Sequence, residues 1–456
     1  MTELLTQSAI AAASLQLYRK ILSTPVGAAW WDCCRMLAEL LDTGELSERS
    51  LKTPSLSLSD RVQVLEQYAC WYYLLAQTGL SWPDWLVREV LVDDNPFSRL
   101  AAAQPLETIP VALRSAAAQD LKRLHCLCRS AGALVAGVEA LALEPLALVP
   151  VLAADVASGV ALQDELAIAI ARLMQQADDW EHCLELLADR YRQMGVGLFG
   201  RYRAARWQGG ALVGVHQADA IALDEIYGYA RQKAALCGNV EALIAGQPAL
   251  NVLLYGARGT GKSSLVKSLL TQYGDRGLRI VELSRSDLRD LLVVVDQLAQ
   301  LPQSFILFID DLSFSADETD YKQLKVMLEG DIAARPTNVC LYATSNRRHL
   351  VKEYLADRPN PADDEVHAWD TVQEKLSLSD RFGLTLTFPP FSQADYFATV
   401  YHLAELCGIE RSREELRQWS LTWAQQQNGF SGRTARQFID RLQGQNGNVD
   451  LLARGF

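Results

Sequence analysis

The first part of the chain is dominated by apolar residues that recur at a helical period. One set, spaced three and four residues apart, comprises Val62, Leu65, Ala69, Tyr72 and Ala76. Residues with this spacing share one face of an α-helix. Strand-like alternation is scarce before residue 195, and prolines fall where helices would stop or turn. We therefore expect residues 1–195 to form an α-helical N-terminal domain.

The pattern changes over residues 195–214, which hold six glycines and show little helical periodicity. Glycine at this density is typical of turns and loops. The same stretch interleaves arginines with aromatic residues, namely Arg201, Tyr202, Arg203, Arg206 and Trp207. Such side chains can stack on single-stranded nucleic acid. Because the run is short and the protein is acidic, we favour a linker over residues 196–220 that packs against the next domain.

Beyond residue 220, short apolar runs alternate with helical segments. The runs cover residues 251–255, 278–283, 305–309, 339–344 and 384–388. Continuous apolar strands separated by helices are typical of a parallel sheet that is covered on both faces. After Phe391 the sequence returns to a helical pattern. The pattern thus predicts an α/β domain with a five-stranded parallel sheet over residues 221–390 and a helical segment over residues 391–456.

Composition and charge narrow the class of protein. Of 456 residues, 49% are hydrophobic and 21% are charged, which is ordinary for a folded globular protein. The formal net charge of -12 disfavours a strongly cationic nucleic-acid binder. Nine scattered cysteines indicate a reducing compartment rather than a disulfide framework. The sequence has no signal-peptide pattern and no uninterrupted apolar stretch of about 20 residues, so we expect a cytoplasmic protein without a membrane span.

A glycine-rich motif follows the first of the apolar runs. The motif G-x-x-x-x-G-K-[ST] is matched in full by Gly256, Ala257, Arg258, Gly259, Thr260, Gly261, Lys262 and Ser263. Glycines let such a loop curl until its backbone N–H groups point at phosphate oxygens, and the positive end of the helix starting near Ser264 adds to the attraction. In this motif the lysine bridges the β- and γ-phosphates and the final hydroxyl ligates Mg²⁺. We expect residues 256–264 to bind a nucleoside triphosphate, with Ser263 as a metal ligand.

Two carboxylates follow the apolar run at residues 305–309. Asp310 and Asp311 would emerge at the carboxyl end of a buried strand, which is the edge where ligands collect in open parallel sheets. An isolated Asp-Asp pair usually caps a helix, but this pair comes about 50 residues after a complete phosphate loop. We expect Asp310 to hold the Mg²⁺ shell and Asp311 to orient and polarise the attacking water.

Together these stretches resemble an AAA+ ATPase, and in particular an uncharacterised bacterial family of AAA+-like proteins known only as a domain of unknown function. The resemblance runs from about Leu223 to Phe438. The segments that carry it are 253–264, 310–314, 343–350, 377–383 and 431–438. It implies a P-loop NTPase fold with a helical lid, ATP and Mg²⁺ as cofactors, and ATPase activity.

The resemblance also implies roles for residues outside the phosphate loop. Asn346 resembles the first sensor, whose amide contacts the γ-phosphate and the attacking water. Arg381 resembles an arginine finger, which acts on a neighbouring subunit's nucleotide and so implies a ring or filament. Arg436 resembles the second sensor, in the lid, with Arg433 as a competitor that spacing does not exclude. Tyr229 resembles part of the adenine contact. The alternatives are turn formation for Asn346, a surface ion pair for Arg381 and core packing for Tyr229.

Two departures from the AAA+ pattern bear on activity. AAA+ enzymes usually carry Glu where this chain has Asp311, which is one methylene shorter, so we expect slow hydrolysis. No aromatic–apolar–glycine pore loop follows the strand ending near Leu283, which weakens a polypeptide-threading role. We interpret the proline-bearing, acidic segment 357–370 as a solvated loop, with gripping of a partner as the alternative.

The leading hypothesis is a Mg²⁺-dependent ATPase that couples ATP binding and hydrolysis to conformational remodelling of a protein partner bound by the helical N-terminal domain. The alternatives are an ATP-gated scaffold or switch with little turnover, and a nucleic-acid-associated ATPase of the loader type. The last alternative is motivated by Arg347 and Arg348, by the linker arginines and by the pair Lys322 and Lys325, but the overall acidity disfavours it. Neither the partner nor the number of subunits follows from the sequence.

Overall fold

The computed structural model describes residues 2–42, 57–141, 165–314, 321–329, 336–346, 378–427 and 429–444. The chain divides into two compact units, Met1–Arg201 and Tyr202–Phe456. The first unit is helical, and the second unit contains the sheet. Arg347, Arg348 and the predicted loop at 357–370 lie outside the described residues.

Helices make up the described part of the first unit, as the apolar periodicity predicts. They are α1 (Thr2–Ala13), α2 (Pro25–Asp42), α3 (Leu58–Thr78), α4 (Trp82–Val92), α5 (Pro96–Ala103), α6 (Val111–Arg129), α7 (Ala131–Leu141), α8 (Glu165–Gln176), α9 (Leu184–Met194) and α10 (Gly197–Arg201). Several begin at a polar cap: the side chains of Ser57, Ser81 and Asn95 accept hydrogen bonds from backbone N–H groups in the first turns of α3, α4 and α5.

The buried face of α3 is not the one formed by the apolar set noted in the sequence. The buried side chains are Val64, Tyr68, Trp71 and Leu75. Val62, by contrast, is 43% exposed. Both sets have helical spacing, but the set with Tyr68 and Trp71 removes more apolar area from water. Trp71 also packs edge-to-face on Trp82, with 5.7 Å between ring centroids.

Of the helices that the structure describes, α7 is the most apolar, and it belongs to the core of the first unit, where Leu134 and Val138 are fully buried. Among the described residues, no single helix is long and apolar enough to cross a membrane. Taken together, α6 and α7 have the length and apolar composition of a membrane span, but a 40° bend separates them.

Seven strands form one sheet in the described part of the second unit. They are β1 (Ala204–Gln208), β2 (Ala211–Gly214), β3 (Val252–Gly256), β4 (Leu278–Glu282), β5 (Ser304–Ile309), β6 (Val339–Ser345) and β7 (Leu384–Phe388). Their order across the sheet is β2-β1-β4-β5-β6-β3-β7. β1 pairs with β2 in antiparallel fashion, whereas the other neighbouring pairs are parallel. The strands β3 to β7 form the predicted parallel sheet of a P-loop fold.

The hairpin β1–β2 corrects the prediction of a five-stranded sheet. It arises from the glycine-rich segment that we interpreted as part of a linker. Gly209 and Gly210 form its two-residue turn with φ of 60° and 82°, as a type I′ turn requires, and β1 extends the parallel sheet by pairing with β4. The strands have only five and four residues, so their alternation is too short to stand out in the sequence.

The arginines and the tryptophan of this hairpin are engaged within the chain. Arg203 pairs with Asp275, and Arg206 pairs with Glu282 at 2.8 Å. Trp207 is 3% exposed. The Trp207 ring is therefore packed within the protein and not available for stacking on nucleic acid, whereas the Arg206 side chain stays 55% exposed.

The helices of the second unit cover the sheet and follow it. They are α11 (Ala230–Ile244), α12 (Lys262–Tyr273), α13 (Leu291–Ala299), α14 (Tyr321–Glu329), α15 (Gln393–Leu406), α16 (Arg413–Gln426) and α17 (Gly432–Gly444). The last three, called the lid from here on, share an apolar core that includes Tyr396, Leu416 and Phe438. Because β6 lies between β5 and β3, the carboxyl ends of these three strands meet at one edge of the sheet.

Candidate functional site

The glycine-rich motif forms the turn between β3 and α12. The hydroxyl of Thr260 donates to the carbonyl of Ala257 at 2.9 Å, which closes the loop. Gly259 has a φ of 75°, and a Cβ built on it would lie only 2.8 Å from the Cβ of Ser431, so glycine is needed for both conformation and space. The N-terminus of α12, which starts at Lys262, faces the loop. The strand–loop–helix arrangement predicted for phosphate binding is present.

Lys262 lies within this loop and is 7% exposed. Its ammonium donates to the carbonyls of Gly256 at 3.0 Å and Ala257 at 2.8 Å. It also donates to Oδ1 of Asn346 at 3.3 Å. Burial lowers the pKa of the Lys262 ammonium, while two nearby carboxylates act in the opposite direction. A cation held in this position can interact with anionic oxygens that enter the loop.

The first carboxylate after β5 meets the hydroxyl that ends the phosphate loop. Ser263 Oγ donates to Oδ1 of Asp310 at 2.6 Å. Thr344, near the end of β6, donates from its hydroxyl to the same oxygen. A hydroxyl and a carboxylate converging on one point are hard oxygen ligands of the kind that Mg²⁺ takes, with waters and phosphates completing its shell. The residues therefore fit a magnesium ion, which Ser263 and Asp310 would hold.

The second carboxylate is joined to the end of β6. Asp311 has a φ of 52°, a left-handed conformation that Asp tolerates better than most residues. Its backbone N–H donates to Thr344 Oγ1 at 2.9 Å, and its Oδ1 accepts a hydrogen bond from Nδ2 of Asn346 at 2.6 Å. Asp311, Asn346 and Lys262 thus form one hydrogen-bonded series beside the phosphate loop, although they come from three separate parts of the sequence.

All these groups line one cleft of about 690 Å³ in the second unit. Its apolar part is formed by Ile226, Tyr229, Phe391 and Leu403. The ring of Tyr229 lies 4.9 Å from that of Phe388, between centroids, and burial raises the pKa of the Tyr229 hydroxyl to about 12. A flat, apolar wall next to a phosphate loop suits a nucleotide base. The structure places Tyr229 both in this wall and against the core, so the two sequence interpretations of Tyr229 are compatible.

The lid contacts the phosphate loop through the backbone. The N–H groups of Gly432 and Arg433, at the start of α17, donate to the carbonyl of Gly259 at 2.9 Å and 3.4 Å. Gly432 has little free space, because a Cβ there would lie 3.2 Å from that same carbonyl oxygen. The position of the lid and the shape of the loop are therefore linked directly.

The two candidate lid arginines differ in their surroundings, although both line the cleft. Arg436 forms an ion pair with Glu225, which lies before β3, and its Nε donates to Asp440 at 3.1 Å. The side chain of Arg433 forms no hydrogen bond or ion pair with any residue that the structure describes. The structure thus gives Arg436 a protein partner and leaves Arg433 the less constrained of the two.

The remaining predicted residues lie at the edge of the cleft or away from it. Arg258 is exposed and lines the cleft. Arg381 is half-buried in the turn Ser379–Arg381 before β7 and, within the described part of the chain, is not among the lining residues. No cluster of three or more His, Cys, Asp or Glu residues with metal-binding geometry occurs among the described residues.

Besides the apolar residues of the cleft wall, the sequence predictions give no role to Thr344, Gly432 and Glu225. Thr344 bridges the two aspartates, and its place two residues before Asn346 could have pointed to it. Gly432 contacts the phosphate loop, and the only local sequence feature that marks this residue is the start of a helix. No local sequence pattern points to Glu225, because its partner Arg436 is 211 residues away in the chain.

The chain matches one protein family and is similar to several solved structures. Residues 200–446 match the family described as "Protein of unknown function (DUF815)". None of the curated proteins matches the chain. Among solved structures, the chain is similar to the RuvB Holliday junction branch migration motor of Thermotoga maritima, with 16% identity over 51% of this chain and 70% of that one and a TM-score of 0.35. It is also similar to the replication initiator DnaA bound to AMPPCP and single-stranded DNA, with 17% identity over 51% of this chain and 67% of that one and a TM-score of 0.35.

Proposed function

The chain belongs to the family described as "Protein of unknown function (DUF815)", and we propose that its second unit is an AAA+ ATPase, which binds ATP with Mg²⁺ in the phosphate loop and hydrolyses it. The finer part of the proposal is that the ATPase cycle drives conformational remodelling of a protein partner. The helical first unit is the proposed docking site for that partner.

The observation that carries the proposal is the meeting of Ser263 with Asp310 at 2.6 Å, beside Lys262 in the phosphate loop. A cation, a hydroxyl and a carboxylate converge at the N-terminus of a helix. This combination suits a triphosphate with its metal better than a neutral ligand, because each group is placed to meet charge.

Each side chain has a separate task in the proposed reaction. Lys262 neutralises the β- and γ-phosphate oxygens, and Ser263 with Asp310 holds Mg²⁺, which supplies charge stabilisation to the phosphoryl oxygens when bound. Asp311 orients a water molecule and accepts its proton, while Asn346 aligns that water with the γ-phosphate. The shorter side chain of Asp311, compared with Glu, supports slow turnover.

Arg381 is proposed to complete the site of a neighbouring subunit. Its half-buried turn lies outside the lining of its own cleft among the described residues, as a residue that acts in trans requires. Self-association in a ring or filament through nucleotide interfaces follows from this assignment. The test is phosphate release at increasing protein concentration: the specific rate rises for the unaltered chain and stays low and flat for Arg381→Ala. A rate independent of concentration in both proteins would remove the assembly part of the proposal.

A second candidate, an ATP-gated scaffold or switch with little turnover, is favoured by one contact. The Asn346 amide donates to Oδ1 of Asp311 at 2.6 Å, so one of the acceptor sites of this carboxylate is engaged within the chain instead of with water. Absence of phosphate release at every protein concentration, together with tight ATP binding, would favour the switch.

The nucleic-acid-associated alternative has weaker support. Arg206 is paired and Trp207 is buried in the sheet, which removes part of its motivation. DNA binding that weakens steeply with added salt would support this alternative.

A cytoplasmic location remains part of the proposal on the grounds of cysteine usage.

A further inference from the structure

An ion pair joins the lid to the segment that precedes β3. Arg436 on α17 pairs through Nη1 with Oε2 of Glu225, in the short turn Leu223–Glu225. The other carboxylate oxygen of Glu225 accepts a hydrogen bond from the backbone N–H of Ala222 at 3.0 Å. The Glu225 carboxylate is therefore oriented from both sides. Both charged residues line the cleft.

A second lid helix holds the neighbouring residue. The ring nitrogen Nε2 of His402, on α15, lies 2.5 Å from the carbonyl oxygen of Asp224. The His402 ring also packs at 5.4 Å from the Tyr227 ring, between centroids. Consecutive residues, Asp224 and Glu225, are thus each held by a different helix of the lid.

The segment held in this way leads directly into the apolar wall of the cleft. Ile226 follows Glu225 in the chain, and Tyr229 lies three residues further on. The same wall includes Leu403 of the lid helix α15. A base in this wall would contact residues of both the segment and the lid, so holding the two together would slow its departure.

We propose that Glu225 and Arg436 form a latch that sets the rate at which nucleotide leaves the cleft. This inference rests on the proposed nucleotide function. In it Arg436 is a positioning residue that keeps the lid closed over the base, and Arg433 is the lid cation that remains for the phosphates. The latch acts on ADP and ATP alike, because it lies at the base end and does not require a γ-phosphate.

The exposure of the pair indicates how strong the latch is. The Arg436 side chain is 46% exposed and that of Glu225 is 24% exposed, and pairs at such exposure contribute only modestly to stability. A latch of this strength holds the lid without preventing exchange. We expect its loss to accelerate nucleotide release by about two- to fivefold.

The experiment is stopped-flow release of fluorescent ADP and of a fluorescent, non-hydrolysable ATP analogue from the full chain. Arg436→Gln and Glu225→Gln should each accelerate release of both nucleotides. Arg436→Lys should retain slow release, and the double variant with Glu225→Arg and Arg436→Glu should restore part of it. Asp440→Asn is the matched control, because it removes the other partner of Arg436 within the same helix and leaves the cross-lid pair intact.

Three outcomes would overturn the latch. Unchanged release from Glu225→Gln would do so, and so would an effect of Arg436→Gln on the ATP analogue without one on ADP, which would place Arg436 at the γ-phosphate. The third is faster release from Asp440→Asn equal to that from Glu225→Gln. Thermal unfolding without nucleotide checks that each variant is folded. Failure of the unaltered chain to bind either nucleotide would contradict the proposed function itself, and is distinct from these results.

Discussion

Asn346 donates a hydrogen bond from Nδ2 to Oδ1 of Asp311 at 2.6 Å. Through its own Oδ1 the same amide accepts a hydrogen bond from the ammonium of Lys262 at 3.3 Å. One short side chain therefore links the cation of the phosphate loop to the carboxylate after β5. In the proposed reaction this link fixes the distance between the γ-phosphate and the group that activates water.

Asp311→Asn tests the proposed base. The amide retains the size of the side chain but cannot take a proton, so we expect turnover to fall by about 100-fold or more. ATP affinity should stay within about threefold, because Asp311 is assigned no contact with the metal or the phosphates. Phosphate release and nucleotide titration measure the two quantities. The control is Asp296→Asn, which alters an exposed carboxylate on α13 and should change neither turnover nor ATP affinity. Equal turnover in the two variants would show that Asp311 is not the base.

Lys262→Ala tests the phosphate contact. Loss of a buried cation from the loop should weaken ATP binding by at least about tenfold, because charge-assisted hydrogen bonds to phosphate are among the stronger polar contacts. Titration with a fluorescent ATP analogue measures the change. Lys267→Ala removes an ammonium from the same helix that pairs instead with Asp219 at the surface, and it should bind ATP normally. Similar affinities for the two variants would contradict the assignment.

Gly259→Ala tests the contact between the loop and the lid. The new Cβ would lie 2.8 Å from the Cβ of Ser431, and the backbone has a φ of 75°. Gly246→Ala supplies the control, since it has a similar φ of 68° with nothing within 4 Å. Both should lose about 1–2 kcal/mol of stability from backbone strain. Only Gly259→Ala should also weaken ATP binding, and equal ATP affinities would show that the loop and lid are not coupled.

Stability of the first unit should depend on pH through Asp93. Burial raises the pKa of the Asp93 carboxyl to about 7, with Asp94 and Glu89 adding to the rise and hydrogen bonding from Asn95 and the charge of Lys20 opposing it. The folded chain thus keeps this proton over a range where the unfolded chain loses it, so the free energy of unfolding falls as pH rises from about 4 to about 7 and is flat above.

Asp93→Asn should remove this share of the pH dependence, because the amide resembles the protonated acid. The difference in unfolding free energy between the two proteins should change by up to about 1.4 kcal/mol per pH unit between about pH 4 and 7. Urea unfolding followed by tryptophan fluorescence measures it. A difference that does not vary with pH would show that Asp93 ionises normally in the folded chain.

Contiguous features of the site could be predicted from the sequence, and long-range ones could not. The phosphate loop, Asp310 and Asp311 follow buried apolar strands, so local pattern and strand topology suffice to place them. The pairing of Glu225 with Arg436 depends on how the lid folds back across 211 residues, which no local pattern records. The buried face of α3 depends on which side chains meet neighbouring helices, those of Tyr68 and Trp71 or that of Val62. Helical spacing cannot decide this, because it is the same for both faces. The hairpin at Gly209 and Gly210 could not be predicted for another reason. Its strands are too short to show a clear alternation of apolar and polar residues.

The most direct test of the central claim is calorimetric titration of the full chain with ATP, with and without Mg²⁺, beside the same titrations of Ser263→Ala. The account predicts that ATP binds with 1:1 stoichiometry and that Mg²⁺ tightens binding. It also predicts that Ser263→Ala loses most of this Mg²⁺ effect while retaining metal-independent binding, because Lys262 and the loop remain. No heat of binding from folded protein, or an identical Mg²⁺ effect in both proteins, would contradict the assignment of this cleft as a magnesium–ATP site.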